Sequence, residues 1–302
     1  MQSKLGVYVL LALMPLLFAS NLVIGRGSAE LVEPWTLAFW RWLLATLVVL
    51  PFTAGALVRY WRDFRAVGRE IFILGLLGMV LCGGVVYVSL HATTATNATL
   101  IYTASGLFIV LLDTLYFGQP LTVLRLVGLV VGFLGVATIV LQGELQRLIS
   151  LDLNWGDVGI AIAAISWAIY SVMLRADRLR RLPVLPLFAI IAASGTISLF
   201  PFMLYEWGTL GAFPAVARAW LSIVALAILP SVLAFWFYQI GVKEAGPSIT
   251  GVFLYLIPVY GVLLALVALG ETFHTYHAVG LVLVIAGVVL ATNPFARKKS
   301  VK

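Results

Sequence analysis

The sequence predicts an all-α integral membrane protein of ten transmembrane helices, arranged as two inverted five-helix repeats. Three observations predict it. Apolar stretches of about 20 residues recur along the chain, each long enough to cross a hydrocarbon core of ~30 Å. Only 10% of the 302 residues are charged against 63% hydrophobic, where soluble domains carry about 25% charged residues. The ends of the two halves also read alike, VGLVVGFLGV at 127–136 against VGLVLVIAGV at 279–288.

The first helix is expected at 5–25. It follows a lone Lys4 as a signal peptide would, but its length, Pro15 and the lack of an Ala-x-Ala cleavage site mark it as a retained span. Helices at 35–54 and 71–91 flank a basic loop. Those at 95–116 and 121–141 are parted only by Gly118, Gln119 and Pro120, the composition of a tight turn. The second half supplies 156–175, 184–204, 217–240, 247–269 and 275–292. The gaps leave no room for a soluble domain. Cys82, the single cysteine, sits in an apolar run and is expected to be a small buried hydrophobe.

Basic residues orient the chain. With the N-terminus in the cytoplasm, that side holds Lys4, Arg59, Arg62, Arg65, Arg69, Arg125, Arg175, Arg178, Arg180, Arg181, Lys243, Arg297, Lys298, Lys299 and Lys302. The opposite side holds only Arg26, Arg147 and Arg218, together with the acids Glu30, Glu33, Glu144, Asp152, Asp157, Glu206 and Glu271. Short loops rich in Lys and Arg stay in the cytoplasm, so both termini are expected there, in a cytoplasmic (inner) membrane protein. The net charge of +7 is scattered over these loops and offers no nucleic-acid face.

The match of Gly128 to Gly280 sets a register in which Gly118-Gln119 pairs with Gly270-Glu271, Gly106 with Pro258, and Gly78 with Pro230; one residue off it, Ser20 pairs with Ser171. The expected units are 1–146 and 147–302, together one transport domain. Each has five helices, so the second enters the membrane from the other side. Inverted repeats in transporters place the substrate near the midplane between them.

Three stretches give the pattern a name. LAFWRWLLATLVVLPF (37–52), the Gly156-Asp157 helix start followed by AISWAIYSVMLR (164–175), and GETFHTYHAVGLVLVIAGVVL (270–290) resemble the EamA family of the drug/metabolite transporter superfamily, including its aromatic amino-acid exporter branch. The resemblance covers essentially the whole chain. It implies a carrier or exporter of amino acids and other metabolites that works by alternating access. It implies no substrate in particular.

Breaks at matching positions point to gates: Gly78 and Gly106 in the first half, Pro230 and Pro258 in the second. Polar and aromatic residues at helical spacing mark candidate substrate-binding faces. These are Phe18 and Asn21; Tyr87, with Gly83, Gly84 and His91; Asn97, Tyr102 and Ser105, with Thr94; Trp167, Tyr170 and Ser171, with Ala163; Trp236 and Gln239, with Phe235; and Tyr255, with Ser248, Gly251 and Pro258. Trp35, Trp42, Tyr60, Trp61, Trp155, Trp207 and Trp220 are expected in the interfacial belts. Arg41 is expected to pair with Glu33 or snorkel outward, Asp113 to be wet at a helix end, and His91 and His274 to be solvated.

No Asp, Glu or Lys falls at a helix centre. A cation–proton antiporter needs a buried carboxylate and a sugar-phosphate carrier a buried cation cluster, so the composition favours a neutral or zwitterionic solute with an apolar side chain. Amino-acid export or facilitated passage is the leading expectation, without tight proton coupling. Multidrug efflux of aromatic cations is the alternative. An intramembrane enzyme would need a His-Glu-x-x-His, Gly-x-Ser-x-Gly or paired-acid constellation, and the sequence has none. A channel would need a charged ring or a filter sequence. The expected partners are a small-molecule substrate and membrane lipid, with no cofactor and no metal. The glycine rows Gly75-x-x-Gly78, Gly128-x-x-x-Gly132-x-x-Gly135 and Gly280…Gly287 permit close helix contact, within one chain or between subunits.

Overall fold

The computed structural model describes residues 4–28, 31–144, 146, 154–269 and 272–292. Glu30, Arg147, Asp152, Gly270, Glu271, Arg297, Lys298, Lys299 and Lys302 lie outside the described residues. Ten helices are long and apolar enough to span a membrane, and no strand occurs among the described residues. Helical spans satisfy every backbone group internally, which a bilayer demands.

In the first half, α1 is Lys4–Ser28, α2 Pro34–Arg59 and α3 Gly68–Ser89. Helix α4 runs Ala95–Thr103 and resumes as Ser105–Phe117, and α5 is Val123–Val140. In the second half, α6 is Trp155–Met173, α7 Val184–Leu210 and α8 Ala217–Ala245. Helix α9 runs Pro247–Phe253 and resumes as Leu256–Leu269, and α10 is Thr275–Thr292. Helices α2, α7 and α8 run past the ends expected from the sequence. Two short helices missed in the sequence, Trp61–Ala66 and Asp177–Arg180, lie in the basic loops.

The helix ends are closed by residues the sequence supplies locally. Thr94 and Thr122 accept from the backbone N–H three residues on, and Asn154 and Asp157 form a reciprocal capping box. Gly118 terminates α4 in the left-handed region at φ 60°, which glycine adopts without a Cβ penalty.

The heaviest packing crosses between the halves, and it is reciprocal. Helix α1 packs on α8 and α9, while α6 packs on α3 and α4; α2 pairs with α7, and α5 with α10. The glycine rows explain the last pair. A Cβ at Gly128 would stand 2.4 Å from the Ala291 nitrogen, one at Gly135 2.6 Å from the Val284 nitrogen, and one at Gly287 2.4 Å from the Gly132 nitrogen. Those glycines therefore pack α5 and α10 backbone to backbone within one chain, which settles where that small-residue surface goes.

Candidate functional site

The four positions flagged as breaks fall at or beside irregular backbone. Gly78 lies inside a π-helical segment, Leu76–Val85, and Pro230 inside another, Ala227–Leu233. Helix α4 turns at Ala104, two residues before Gly106, and α9 turns at Leu254 and Tyr255, just ahead of Pro258. Proline cannot donate to the carbonyl four residues back, and the Leu254 carbonyl instead accepts from Ile257 at 3.0 Å. Such wide and tight turns inside helices recur where function requires local distortion.

An aromatic cluster occupies the junction of the halves. Trp167 stacks on Tyr170 with ring centres 5.3 Å apart and meets Phe235 at 5.2 Å and Tyr238 at 4.7 Å. Phe18 reaches in from α1 with its edge toward Trp167 and Phe235. Trp42 and Phe188 close the other side of Phe235. Offset and edge-on pairs of this kind are worth ~0.5–1.5 kcal/mol each beyond area burial. The cluster has polar fastenings: Gln239 donates to the Tyr170 hydroxyl at 2.9 Å, and the Ser171 and Tyr238 hydroxyls lie 2.5 Å apart. Gly78 makes room for Tyr170, whose ring would lie 3.0 Å from a Cβ there. The structure thus brings together Phe18, Trp167, Tyr170, Ser171 and Gln239 with Gly78.

A second cluster adjoins the first through Trp42. Arg41 donates to Ser231 Oγ at 2.5 Å, to the Tyr87 hydroxyl at 2.6 Å and to Asn21 Oδ1 at 3.2 Å, and its guanidinium lies 5.0 Å from the Trp42 ring centre. Tyr87 also donates to Asn21, at 2.9 Å. Helices α1, α2, α3 and α8 meet here, and Ser231 belongs to the π-helical segment of α8. The expectation for Arg41 is corrected: it is 4% exposed and points inward, neither paired with Glu33 nor reaching out. Glu33 is the exposed N-cap of α2.

The remaining candidates lie apart. Tyr255 is a wedge between α4 and α5, since a Cβ at Gly106 would stand 2.8 Å from its ring and one at Gly132 2.6 Å. Ser105 is buried at the restart of α4. Asn97 belongs to the capping cluster of α6, donating to Asp157 at 3.3 Å, while Thr93 also donates to that carboxylate. Tyr102 is half-buried against the core, its hydroxyl toward Cys82, whose sulfur donates to the Ala163 carbonyl at 3.3 Å. Trp236 turns away from the aromatic cluster, because its neighbour Phe235 takes the inward face of α8.

Two further expectations change. Trp42 is not a belt residue but 1% exposed within the aromatic cluster. Asp113 is not wet: it is buried, bridged to Arg175 at 2.5 Å, and accepts from Ser248 at the start of α9. Glu206 is likewise buried and caps α2 from α7, accepting from Trp35 N at 3.1 Å, Thr36 N at 2.8 Å and Thr36 Oγ1 at 2.9 Å. Among the described residues the three buried acids, Asp113, Asp157 and Glu206, are therefore engaged at helix ends. Among the described residues, no cluster of His, Cys, Asp and Glu is suited to a metal ion.

Sequence reasoning passed over Arg41, Trp42, Phe188, Ser231 and Tyr238 as candidates. The spacing of Phe235, Tyr238, Gln239 and Val242 on one face of α8 contained the signal for Tyr238. Arg41 does break the apolar pattern of α2, but near the outer end of its span it reads as a snorkelling side chain, and Trp42 beside it reads as a belt residue.

The profile of the EamA-like transporter family matches residues 5–141 and again 154–293. An uncharacterized transporter of Archaeoglobus fulgidus is 31% identical over 299 residues, covering 97% of this chain and 98% of that one. The aromatic amino acid exporter YddG of Ancylobacter novellus is 27% identical over 288 residues, covering 88% of this chain and 98% of its own. A crystal structure at 23% identity superposes with a TM-score of 0.76 over 98% of this chain and all of that one, a likeness of fold. The ten apolar helices and the family match make this chain a multi-pass membrane protein of the EamA-like transporter family, a transporter and not an enzyme.

Proposed function

We propose that the protein passes amino acids, with aromatic and other hydrophobic ones favoured, across the cytoplasmic membrane by alternating access, outward in the cell. The observation that carries this reading is the aromatic cluster of Phe18, Trp167, Tyr170, Phe235 and Tyr238, built from both halves and edged by neutral hydroxyl and amide groups. Rings in offset and edge-on contact can exchange one another for a substrate ring at little cost in packing. The likeness to an aromatic amino acid exporter points the same way. In this reading the units 1–146 and 147–302 are inverted repeats, the distortions near Gly78, Gly106, Pro230 and Pro258 are the places that bend, and both termini face the cytoplasm. The buried acids already hold partners at helix ends, so facilitated or exchange transport suits the site better than tight proton coupling.

The test is uptake of labelled phenylalanine, threonine and methyl viologen into proteoliposomes holding wild type or Trp167→Ala. Saturable phenylalanine flux, reduced at least tenfold in the variant and unaffected by a protonophore, is the expected result. Flux of methyl viologen alone would replace this reading with multidrug efflux. Reporter fusions at each terminus check the orientation.

A further inference from the structure

Arg41 is a cation held inside the membrane domain without an anion. Its Nε and Nη1 are met by neutral oxygens only, those of Ser231, Tyr87 and Asn21, and Nη2 has no partner among the described residues. The ion pairs described elsewhere, Arg175 with Asp113 and Arg178 with Glu70, do not involve it. Removing a guanidinium from water is costly unless charge compensates it, and charges kept inside membrane proteins at that cost mark binding sites and pathways. A second unmatched donor sits beside it: Trp42 Nε1 is buried with no acceptor. Asn21 and Phe18, one turn apart on the inward side of α1, are both only half-buried, so this corner is less tightly closed than the core around it.

We infer that Arg41 is the carboxylate-binding residue of this transporter. It takes a substrate carboxylate on its guanidinium fork, with Trp42 Nε1 as an additional donor. The fork matches a carboxylate in two parallel hydrogen bonds, which no hydroxyl or amide partner reproduces. The Trp42 ring, 4.9 Å from Phe235, leads directly from Arg41 to the aromatic cluster, so one ligand with a carboxylate at one end and a ring at the other spans both groups. This rests on the proposed function and deepens it: the substrate class is the carboxylate-bearing aromatic or apolar solute, and the amine is secondary. Ser231 and Tyr87 act as stand-in acceptors while the site is empty. Both sit in or beside the π-helical segments, so ligand arrival would release α3 and α8 from Arg41 together.

The experiment measures ligand-induced thermal stabilisation of the purified full chain with phenylalanine, 3-phenylpropionate, which lacks the amine, and phenethylamine, which lacks the carboxylate. Wild type, Arg41→Gln, Arg41→Lys and Asn21→Asp are compared. Wild type should bind the two carboxylates at least tenfold more tightly than phenethylamine, and Arg41→Gln should lose that preference. Arg41→Lys should keep the preference with weaker binding. Asn21→Asp sets an internal carboxylate against Nη1, so it should raise the unliganded melting temperature and weaken both carboxylates at least tenfold; it decides the matter if Arg41→Gln does not fold. Equal binding of phenethylamine by wild type, or an unchanged preference in Arg41→Gln or Asn21→Asp, overturns the role of Arg41 while leaving amino-acid transport standing. Binding of 3-phenylpropionate without phenylalanine keeps the role of Arg41 and overturns the amino-acid reading. Binding of none of the three overturns both.

Discussion

Asp113→Asn tests how three helices are tied together on the basic side of the bundle. Asp113 ties α4 to Arg175, just beyond α6, and to Ser248 at the start of α9, so one carboxylate joins three helices from both halves. Stripping one partner from a fully buried pair costs ~3–5 kcal/mol, and an exposed pair is worth only ~0.2–1 kcal/mol. This pair lies between, with side chains 2% and 22% exposed for Asp113 and Arg175. Arg175 can turn toward water once released, and Ser248 keeps an acceptor in the asparagine oxygen, so the remaining loss is about one charge-assisted hydrogen bond, roughly 2 kcal/mol. A double-mutant cycle with Arg175→Gln should give a coupling of about 1.5 kcal/mol. Unfolding in mixed detergent micelles measures it, followed by tryptophan fluorescence and by a fluorogenic maleimide on Cys82, the single thiol. A coupling under ~0.5 kcal/mol would show that the pair behaves as a surface contact, and the argument from burial would be refuted.

Other expectations follow from neighbouring features. Glu206→Gln leaves the first turn of α2 with one acceptor oxygen where three bonds were made, so it should cost about 2–4 kcal/mol in the same unfolding assay, whereas Glu33→Gln, exposed, should stay within ~0.5 kcal/mol. Gly135→Ala would press a methyl against the backbone of α10, 2.6 Å from Val284 N, and should cost at least ~2 kcal/mol or abolish membrane accumulation. Gly261→Ala meets nothing within 4 Å and should be silent. Tyr238→Phe removes the hydroxyl beside Ser171 and keeps the ring, so phenylalanine flux should change no more than about threefold while Trp167→Ala changes it tenfold or more.

The spans were legible because a bilayer demands length and apolarity, and both are printed in the sequence. The candidate site was legible only where a residue broke the apolar pattern: Asn21, Tyr87 and Gln239 stood out and do make interior hydrogen bonds. Facing was not legible. A membrane helix is apolar toward lipid and toward its neighbours, so the hydrophobic periodicity that orients a soluble helix is erased. That is why Trp42, one residue from Arg41 and near a helix start, read as an interfacial anchor when it is core. Asp113 and Glu206 were misjudged or passed over for a related reason. Their partners, Ser248 and Thr36, are distant in sequence, and only the fold brings them near.

The traded first helices have a consequence for how the chain is made. Helices leave the ribosome in order, but α3 and α4 enter the bilayer before α6 exists to cover them, α2 waits for α7, and α5 waits for α10, the last to arrive. During synthesis the glycine face of α5 and the distorted backbone of α3 must therefore be shielded by lipid or by the insertion machinery. Packing between the halves can begin only when α6 arrives and is complete only with α10. A ribosome stalled before α6 would leave five helices in the membrane whose best partners are all missing, the stage at which quality-control proteases have the most to grasp.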